Sequence, residues 1–279
     1  MNAIEICGLT KQYGDFKLDN LNLTLPQGMI MGLIGENGAG KSTVINLILD
    51  IVKRDSGSVS LLGRDNRDNI HLTKEDIGVV PDVVGIPASL TPEKLGNIMR
   101  YTFSNWNDSA YEEYLEKFKL SNKKKFKDFS TGMKMKLGLA VALSHDPKLL
   151  ILDEATTGLD PVIRDDILDI FCEFTRDETH SILISSHIVS DLEKICDYIA
   201  FLHEGKLLLC EEKDALKEEY AIVRCSHEEI KQIAPEAIKG IKESAYATEA
   251  IVRLDSIPQG MEKSPIDIEQ LFIFMVKGE

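Results

Sequence analysis

Nine consecutive residues decide the fold of this chain, and they are Gly35-Glu36-Asn37-Gly38-Ala39-Gly40-Lys41-Ser42-Thr43. They match the pattern G-x-x-x-x-G-K-[ST] and lie between an apolar run at 29–34 and apolar residues at helical spacing over 44–52. A strand before the glycines and a helix after them allow successive backbone N–H groups to wrap around an anion. The positive end of the helix adds to that attraction, so the stretch predicts a phosphate-binding loop.

The side chains of this loop predict how a nucleotide would be held. Lys41 can reach β- and γ-phosphates, and the Ser42 hydroxyl can ligate Mg²⁺. The alternative is a glycine-rich turn that binds nothing, and the lysine and hydroxyl in register between strand and helix count against it. The predicted nucleotide-binding residues are Gly35, Asn37, Gly38, Ala39, Gly40, Lys41, Ser42 and Thr43.

Two further strand-like runs end in polar residues. The uninterrupted apolar run 149–152 is typical of a buried parallel strand and ends in Asp153-Glu154, and the run 181–185 is followed by His187. The aspartate can hold Mg²⁺, the glutamate can deprotonate an attacking water, and the imidazole can contact a γ-phosphate. Solvated acids and a packing histidine are the alternatives. A shared sheet end beside a phosphate loop favours the functional interpretation.

A second helix start lies further along the chain. Ser130 is a good N-cap for the amphipathic run that continues through Leu143, and Gly132 follows it closely. Simple capping is one interpretation, and a second anion site is the other. If this helix end does not fold back on the first loop, it can serve the nucleotide of another copy, which predicts a head-to-tail dimer.

The composition excludes several classes of partner and location. A net charge of −14 over 279 residues argues against nucleic acid, because phosphate backbones demand a basic face. The five cysteines have no C-x-x-C spacing and are typical of thiols in a reducing cytoplasm. No apolar run approaches the ~18 residues of a membrane span, so we expect no direct transmembrane segment. At a membrane, another chain would have to cross the bilayer.

Local patterns outline the rest of the chain. Residues 1–25 alternate between apolar and polar types and predict antiparallel strands, with turns at Gly14-Asp15 and Asp19-Asn20. Tyr13, before the first turn, is either a half-buried strand residue or a ring that stacks on adenine. Helical periodicity runs from Thr91, a predicted N-cap, to about residue 120. In the tail, which we define as residues 220–279, we expect strands at 221–225, 241–247 and 249–254 and a helix over 267–276.

Together these motifs resemble the ATP-binding subunit of ABC transporters over roughly residues 1–216. The resemblance implies an α/β fold, namely a P-loop NTPase core of the ABC type with an antiparallel β subdomain and a helical subdomain. It implies an ABC ATP-binding domain at 1–219, with its helical subdomain at about 84–143, and a small α+β appendage at 220–279. The implied roles are Walker A for 35–43, catalysis for Glu154 and His187, the signature for Ser130, Thr131 and Gly132, the dimer D-loop for Asp160, metal binding for Ser42 and Asp153, and adenine stacking for Tyr13.

The chain departs from the family pattern in two places. The signature, usually Leu-Ser-Gly-Gly-Gln, is Phe129-Ser130-Thr131-Gly132-Met133 here and keeps the serine and the second glycine. Asp82 stands where the family has the switch-loop glutamine. Its carboxylate can still ligate Mg²⁺, but it also adds negative charge close to the γ-phosphate.

The resemblance implies an ATP- and Mg²⁺-dependent ATPase that powers a separate multi-span membrane permease from the inner face of the cell membrane. It also implies a head-to-tail dimer with itself or a paralogous ATPase. The signature and the single domain look most like ABC-2-type bacterial exporters, which include exporters of peptides such as bacitracin and phenol-soluble modulins.

Two other functions are alternatives. A non-transport ABC ATPase, acting as a soluble regulatory or assembly factor, commonly has two ATPase domains or a long coiled-coil insertion, and this chain has neither. A P-loop GTPase would have N-K-x-D, but the nearest run, 122–125, lacks the aspartate. A small-molecule kinase would not account for Ser130, Gly132 and His187.

Overall fold

The computed structural model describes residues 1–67, 74–243 and 248–277. The strands are β1 (Asn2–Tyr13), β2 (Phe16–Pro26), β3 (Ile30–Ile34), β4 (Ser56–Leu61), β5 (Arg64–Asp65), β6 (Ile77–Val80), β7 (Leu149–Asp153), β8 (Ser181–Ser186), β9 (Tyr198–His203), β10 (Lys206–Glu212), β11 (Tyr220–Cys225), β12 (Ile238–Glu243), β13 (Thr248–Arg253) and β14 (Lys263–Pro265). The helices are α1 (Lys41–Ile48), α2 (Pro92–Met99), α3 (Asp108–Lys117), α4 (Thr131–Leu143), α5 (Pro161–Phe174), α6 (Val189–Ile195), α7 (Lys213–Glu219) and α8 (Ile268–Lys277).

The central sheet has the strand order β10-β9-β3-β8-β7-β6. Its strands run parallel except for β10, which pairs with β9 as an antiparallel edge. Every residue of β3 and β7 is buried, as their continuous apolar sequences predict for strands covered on both faces. Because β3, β7 and β8 are parallel neighbours, the segments that follow them emerge at one edge of the sheet.

The N-terminal residues form a second sheet, of order β2-β1-β4-β5. The predicted turn at Gly14-Asp15 is confirmed and joins β1 to β2. The predicted turn at Asp19-Asn20 is wrong, because both residues lie inside β2. Asn20 has a φ of 50° next to an irregular stretch of the β1–β2 pairing. Asparagine tolerates this left-handed conformation, so the strand bends there without ending.

Two helices, α2 and α3, occupy the segment predicted as helical from Thr91 to about residue 120. Thr91 caps α2 as predicted, since its hydroxyl accepts a hydrogen bond from the Lys94 N–H at 3.4 Å. Helix α2 ends at Met99. Asn107 then caps the next helix, α3, because the Asn107 side chain accepts a hydrogen bond from the Ala110 N–H at 3.1 Å. The Asn107 N–H donates to the Ser144 carbonyl at 2.8 Å, which ties this break to the end of α4.

The tail forms a third sheet, of order β12-β13-β11-β14. The strands expected at 221–225 and 249–254 correspond to β11 and β13, and the expected terminal helix is α8. The strand expected at 241–247 starts earlier, at Ile238, and its residues 244–247 lie outside the described part of the chain. Within the described ranges, no helix combines the length and the apolar character needed to span a membrane.

Helix α8 packs on the central sheet of its own chain. The ring of Phe272 lies 5.1 Å from that of Phe201 on β9, and Ile268, Leu271 and Phe274 are buried in the same apolar cluster as Ile34 of β3. A Cβ at Gly240 would lie 2.5 Å from the Phe274 carbonyl oxygen, so the tail sheet approaches the helix closely. The last helix is therefore part of the core that supports β3 and β9.

We expect Phe272→Ala to lower the free energy of unfolding by about 3–5 kcal/mol, because it deletes a buried ring that contacts the central sheet. Ile273→Ala, on the same helix but 40% exposed, should change it by about 0.5 kcal/mol or less. Urea unfolding of both variants measures the difference. A loss in Phe272→Ala no larger than that in Ile273→Ala would contradict the packing of the Phe272 ring into the core.

Candidate active site

A cavity of about 460 Å³ opens at the sheet edge where β3, β7 and β8 end. It brings together sequence-predicted site residues from four separate parts of the chain. Those that line it are Asn37, Gly38, Gly40, Lys41, Ser42, Thr43, Asp82, Glu154 and His187. The cavity is also lined by Phe16, Glu36 and Thr157, to which the sequence analysis gave no role of their own.

The backbone of the loop 35–40 depends on glycine at three positions, and Gly38 has a left-handed φ of 87°. Gly40 has a φ of 110° and is the N-cap of α1, a conformation that L side chains rarely adopt. A Cβ at Gly35 would lie 2.5 Å from the Leu202 carbonyl oxygen, so β9 approaches this residue too closely for any side chain. The loop therefore turns tightly from β3 into α1 and leaves the helix N-terminus free for an anion.

Lys41 is buried, with 6% of its side chain exposed, and its ammonium is surrounded by oxygen atoms. Its Nζ donates hydrogen bonds to the carbonyls of Gly35 at 2.7 Å and Glu36 at 3.3 Å. It also lies 3.2 Å from Oε1 of Glu154. The phosphate loop and the acid at the end of β7 are thus joined by a largely buried ion pair, whose rupture would leave an uncompensated charge.

Three side chains from separate elements surround the carboxylate of Glu154. Besides Lys41, the Thr157 hydroxyl donates to Oε2 at 2.7 Å, and Nδ1 of His187 lies 2.8 Å from the same oxygen. Burial by itself would raise the pKa of Glu154, but Thr157, Lys41 and His187 outweigh it and hold that pKa below its usual value. Glu154 is therefore ionised at neutral pH, a state in which its carboxylate can accept a proton.

The backbone at Glu154 is strained. Its φ is 52°, in the left-handed region that costs a non-glycine residue on the order of 1–3 kcal/mol. The Glu154 N–H donates to the Ser185 carbonyl at 3.1 Å and to the Ser185 hydroxyl at 3.0 Å. Such strain persists only where surrounding contacts fix it, and it is common at catalytic positions.

The structure places the predicted signature and D-loop residues outside the cavity lining. Ser130 caps α4 as expected, accepting from the Met133 N–H at 3.3 Å. A Cβ at Gly132 would lie 3.0 Å from Cδ1 of Ile163, so the start of α4 packs against α5. Asp160 caps α5 by accepting from the Val162 and Ile163 N–H groups at 3.2 and 3.1 Å. Ser130 and Thr131 are exposed, and neither lines the cavity beside this chain's own phosphate loop.

Tyr13 also lies outside the cavity lining, and Phe16 lines it instead. The two residues pair across the turn between β1 and β2, and Tyr13 is 43% exposed beneath the Lys11 ammonium. The Phe16 ring lies so close to Gly40 that a Cβ there would be 2.8 Å away. The stacking role of Tyr13 stays a prediction. The sequence signal for Phe16 was a second aromatic three residues further along the same hairpin.

Comparison with known proteins decides the family. Residues 18–157 match the family described as ABC transporter. The chain belongs to this family. The bacitracin transport ATP-binding protein BcrA of Enterococcus faecalis is 38% identical over 209 residues, which are 74% of this chain and 68% of that protein.

Two further ABC proteins show how far the likeness extends. The lantibiotic transport ATP-binding protein SrtF of Streptococcus pyogenes is 37% identical over 216 residues, which are 76% of this chain and 91% of that protein. A solved structure of the ATP-binding subunit of an ABC transporter has a TM-score of 0.70 at 26% identity and covers 77% of this chain and 92% of that one. The expected fold is confirmed, and this ABC protein is an ATPase that binds ATP.

We expect Glu154→Gln to reduce ATP turnover at least a hundredfold, because the amide keeps the shape of the side chain but cannot accept the proton of water. ATP affinity should change less than threefold, as the phosphate loop is untouched. Steady-state phosphate release and titration with a fluorescent ATP analogue measure the two quantities. Glu204→Gln, in the exposed β9–β10 turn, is the matched control. Full turnover in Glu154→Gln would contradict the assignment of the base.

Proposed function

We propose that this ATPase powers the export of antimicrobial or other amphipathic peptides through a separate multi-span permease. The relatives named for bacitracin and lantibiotic transport support this proposal, since each aligns with about three quarters of this chain. The observation that carries the ATPase part of the proposal is the cavity that brings the phosphate loop, Glu154 and His187 together at one sheet edge. The protein works at the inner face of the cell membrane, bound to the permease.

Hydrolysis would follow from the roles that this geometry allows. Backbone N–H groups of the loop and Lys41 bind the β- and γ-phosphates, Glu154 takes a proton from the attacking water, and His187 stabilises charge on the γ-phosphate. Ser42 and Asp153 would hold Mg²⁺, which neutralises phosphate charge when bound. No cluster of three or more His, Cys, Asp or Glu that could hold a metal occurs among the described residues. Ser42 lines the cavity, whereas Asp153 is buried at the end of β7 and does not line it. A hydroxyl and a carboxylate are oxygen ligands of the kind that suits Mg²⁺, which takes its remaining ligands from phosphates and water.

Asp82 is the departure that bears most directly on this mechanism. It lines the same cavity as Ser42 and Glu154, at the position of the family's switch-loop glutamine. A carboxylate there could serve as a further Mg²⁺ ligand, and Mg²⁺ would screen its repulsion from the γ-phosphate. The negative charge would make this part of the cavity more dependent on the metal than a neutral glutamine.

A dimer would complete the site. Ser130, Thr131 and Gly132 lie at the start of α4 with an anion-binding helix end, but they do not line the cavity of their own chain. In a head-to-tail pair, each copy would present this helix end to the nucleotide held by the other, and Asp160 would lie at the interface. The partner is a second copy or a paralogous ATPase.

A separate apolar groove supplies a docking surface for the permease. It lies between the end of α1, strand β6 and the segment after α2, and its walls include Ile51, Val79 and Phe103. Ile51 is 66% exposed and Val79 is 36% exposed, so the groove presents adjoining apolar side chains to solvent. The ring of Phe103 stacks on His145 at 4.0 Å and forms part of the wall. A cytoplasmic helix of the permease with an apolar face would fit here. Movements of the helical subdomain at about 84–143 would then shift this helix.

Tagged protein purified from detergent-solubilised membranes of its host should bring a stoichiometric multi-span membrane protein with it. Ile51→Glu should abolish that association and keep ATP turnover within twofold, because it puts a charge into the groove and not into the active site. Ile273→Glu, at an exposed position on α8, should retain the partner. Capture of soluble partners alone would favour the alternative function, a regulatory or assembly factor.

A host strain that carries Glu154→Gln at the native locus should become more susceptible to cyclic and lantibiotic peptides, at least fourfold in inhibitory concentration for one class. The reason is that the permease would lose its source of energy. A strain with Glu204→Gln should behave as wild type. Equal susceptibility of the two strains to both peptide classes would contradict peptide export.

A further inference from the structure

We propose that Ser185 is a positioning residue for ATP hydrolysis. Its hydroxyl contacts both acids at the end of β7. It accepts a hydrogen bond from the backbone N–H of Glu154 and donates one to a carboxylate oxygen of Asp153. The inference rests on the proposed roles of these two acids. Ser185 itself does not line the nucleotide cavity, so it would act through the two acids and not on the attacking water.

Strand register brings Ser185 to the two acids. Strands β7 and β8 are parallel, and Asp153 is the residue paired with Ser185 at the end of the ladder. Ser185 has 0% of its surface exposed, so water does not compete for its hydroxyl. That hydroxyl donates to Oδ1 of Asp153 at 2.6 Å and accepts from the Glu154 N–H at 3.0 Å. A single buried oxygen therefore bridges neighbouring residues with different predicted functions.

The first consequence concerns the direction of the Glu154 side chain. Its left-handed backbone, at φ 52°, sends the chain out of β7 in a direction that an ordinary strand residue would not take. The Glu154 N–H is held by both oxygens of Ser185, the hydroxyl and the carbonyl. Removing the hydroxyl leaves the carbonyl alone to fix this conformation. The carboxylate would then spend less time in the arrangement that Thr157 and Lys41 stabilise.

The second consequence concerns Asp153. Its Oδ1 is occupied by the Ser185 hydroxyl, and no hydrogen bond reaches Oδ2 from the part of the chain that the structure describes. The Ser185 hydroxyl thus decides which oxygen of Asp153 is left for a metal or a metal-bound water. Hydrogen-bond partners of this kind commonly orient the side chains that hold a metal.

The strand supplies its own control. Ser181, at the other end of β8, is also fully buried, and its hydroxyl accepts a hydrogen bond from the Gly28 N–H at 2.9 Å. Loss of the Ser181 hydroxyl removes one buried hydrogen bond from this strand, and loss of the Ser185 hydroxyl removes two, so the stabilities of the two variants are compared as well. Only Ser185 contacts the acids, so a difference between the two variants reports on positioning and not on general stability.

We expect Ser185→Ala to lower kcat for ATP at least tenfold and to change KM for ATP less than twofold. It should also raise, at least threefold, the Mg²⁺ concentration that half-saturates binding of a fluorescent ATP analogue. Ser181→Ala should leave all three values within twofold of wild type. Ser185→Cys keeps the size of serine but has a weak donor, so its kcat should resemble that of Ser185→Ala. Thermal unfolding checks that each variant is folded.

The outcomes separate this inference from the proposed function. Wild-type kcat and Mg²⁺ dependence in Ser185→Ala, with Glu154→Gln inactive, would overturn the role of Ser185 and leave the mechanism intact. Equal losses in Ser181→Ala and Ser185→Ala, or full activity in Ser185→Cys, would also overturn it, because packing would then explain the effect. If Ser185→Ala does not fold, Ser185→Cys carries the test.

Discussion

The parallel pairing of β3, β7 and β8 is the constraint on which the rest of the site depends. A one-residue shift between β7 and β8 would turn the side chains of Asp153 and Ser185 to opposite faces of the sheet. Burial on both faces makes such a shift costly, because apolar side chains would lose their partners in the core. The hydrophobic sheet thus holds polar groups from distant parts of the sequence in fixed relation.

Charge is concentrated where this sheet ends, and the two largely buried charged groups there, Lys41 and Glu154, contact each other. Lys41 would be strongly unfavourable at 6% exposure without the carbonyls of the loop and the carboxylate of Glu154. Glu154 in turn stays ionised because of Lys41, Thr157 and His187. These contacts are mutual, so a change in any one of them alters the others. A phosphate group that enters the cavity would compete with Glu154 for Lys41, which couples nucleotide binding to the position of the base.

Sequence reasoning succeeded where a feature depends on neighbours along the chain. The phosphate loop, the caps at Thr91 and Ser130 and the buried strand before Asp153 are all local patterns, and the structure has each of them. The missed features depend on contacts between distant residues. Asn20 bends β2 because of its pairing with β1, and Phe16 lines the cavity because the β1–β2 hairpin folds over Gly40. Ser185 resembles any other serine in an apolar strand until the register with β7 is known.

The tail also packs against elements that position the active site. Phe201 lies one residue before Leu202, whose carbonyl oxygen approaches Gly35 closely, and the ring of Phe201 packs against Phe272 of α8. The last helix therefore packs on β9 next to the residue that approaches the first residue of the phosphate loop. Helix α6, which begins two residues after His187, also packs against α8. A ligand or partner that shifted the tail would act on two sides of the active site through strands and helices that have little room to adjust separately.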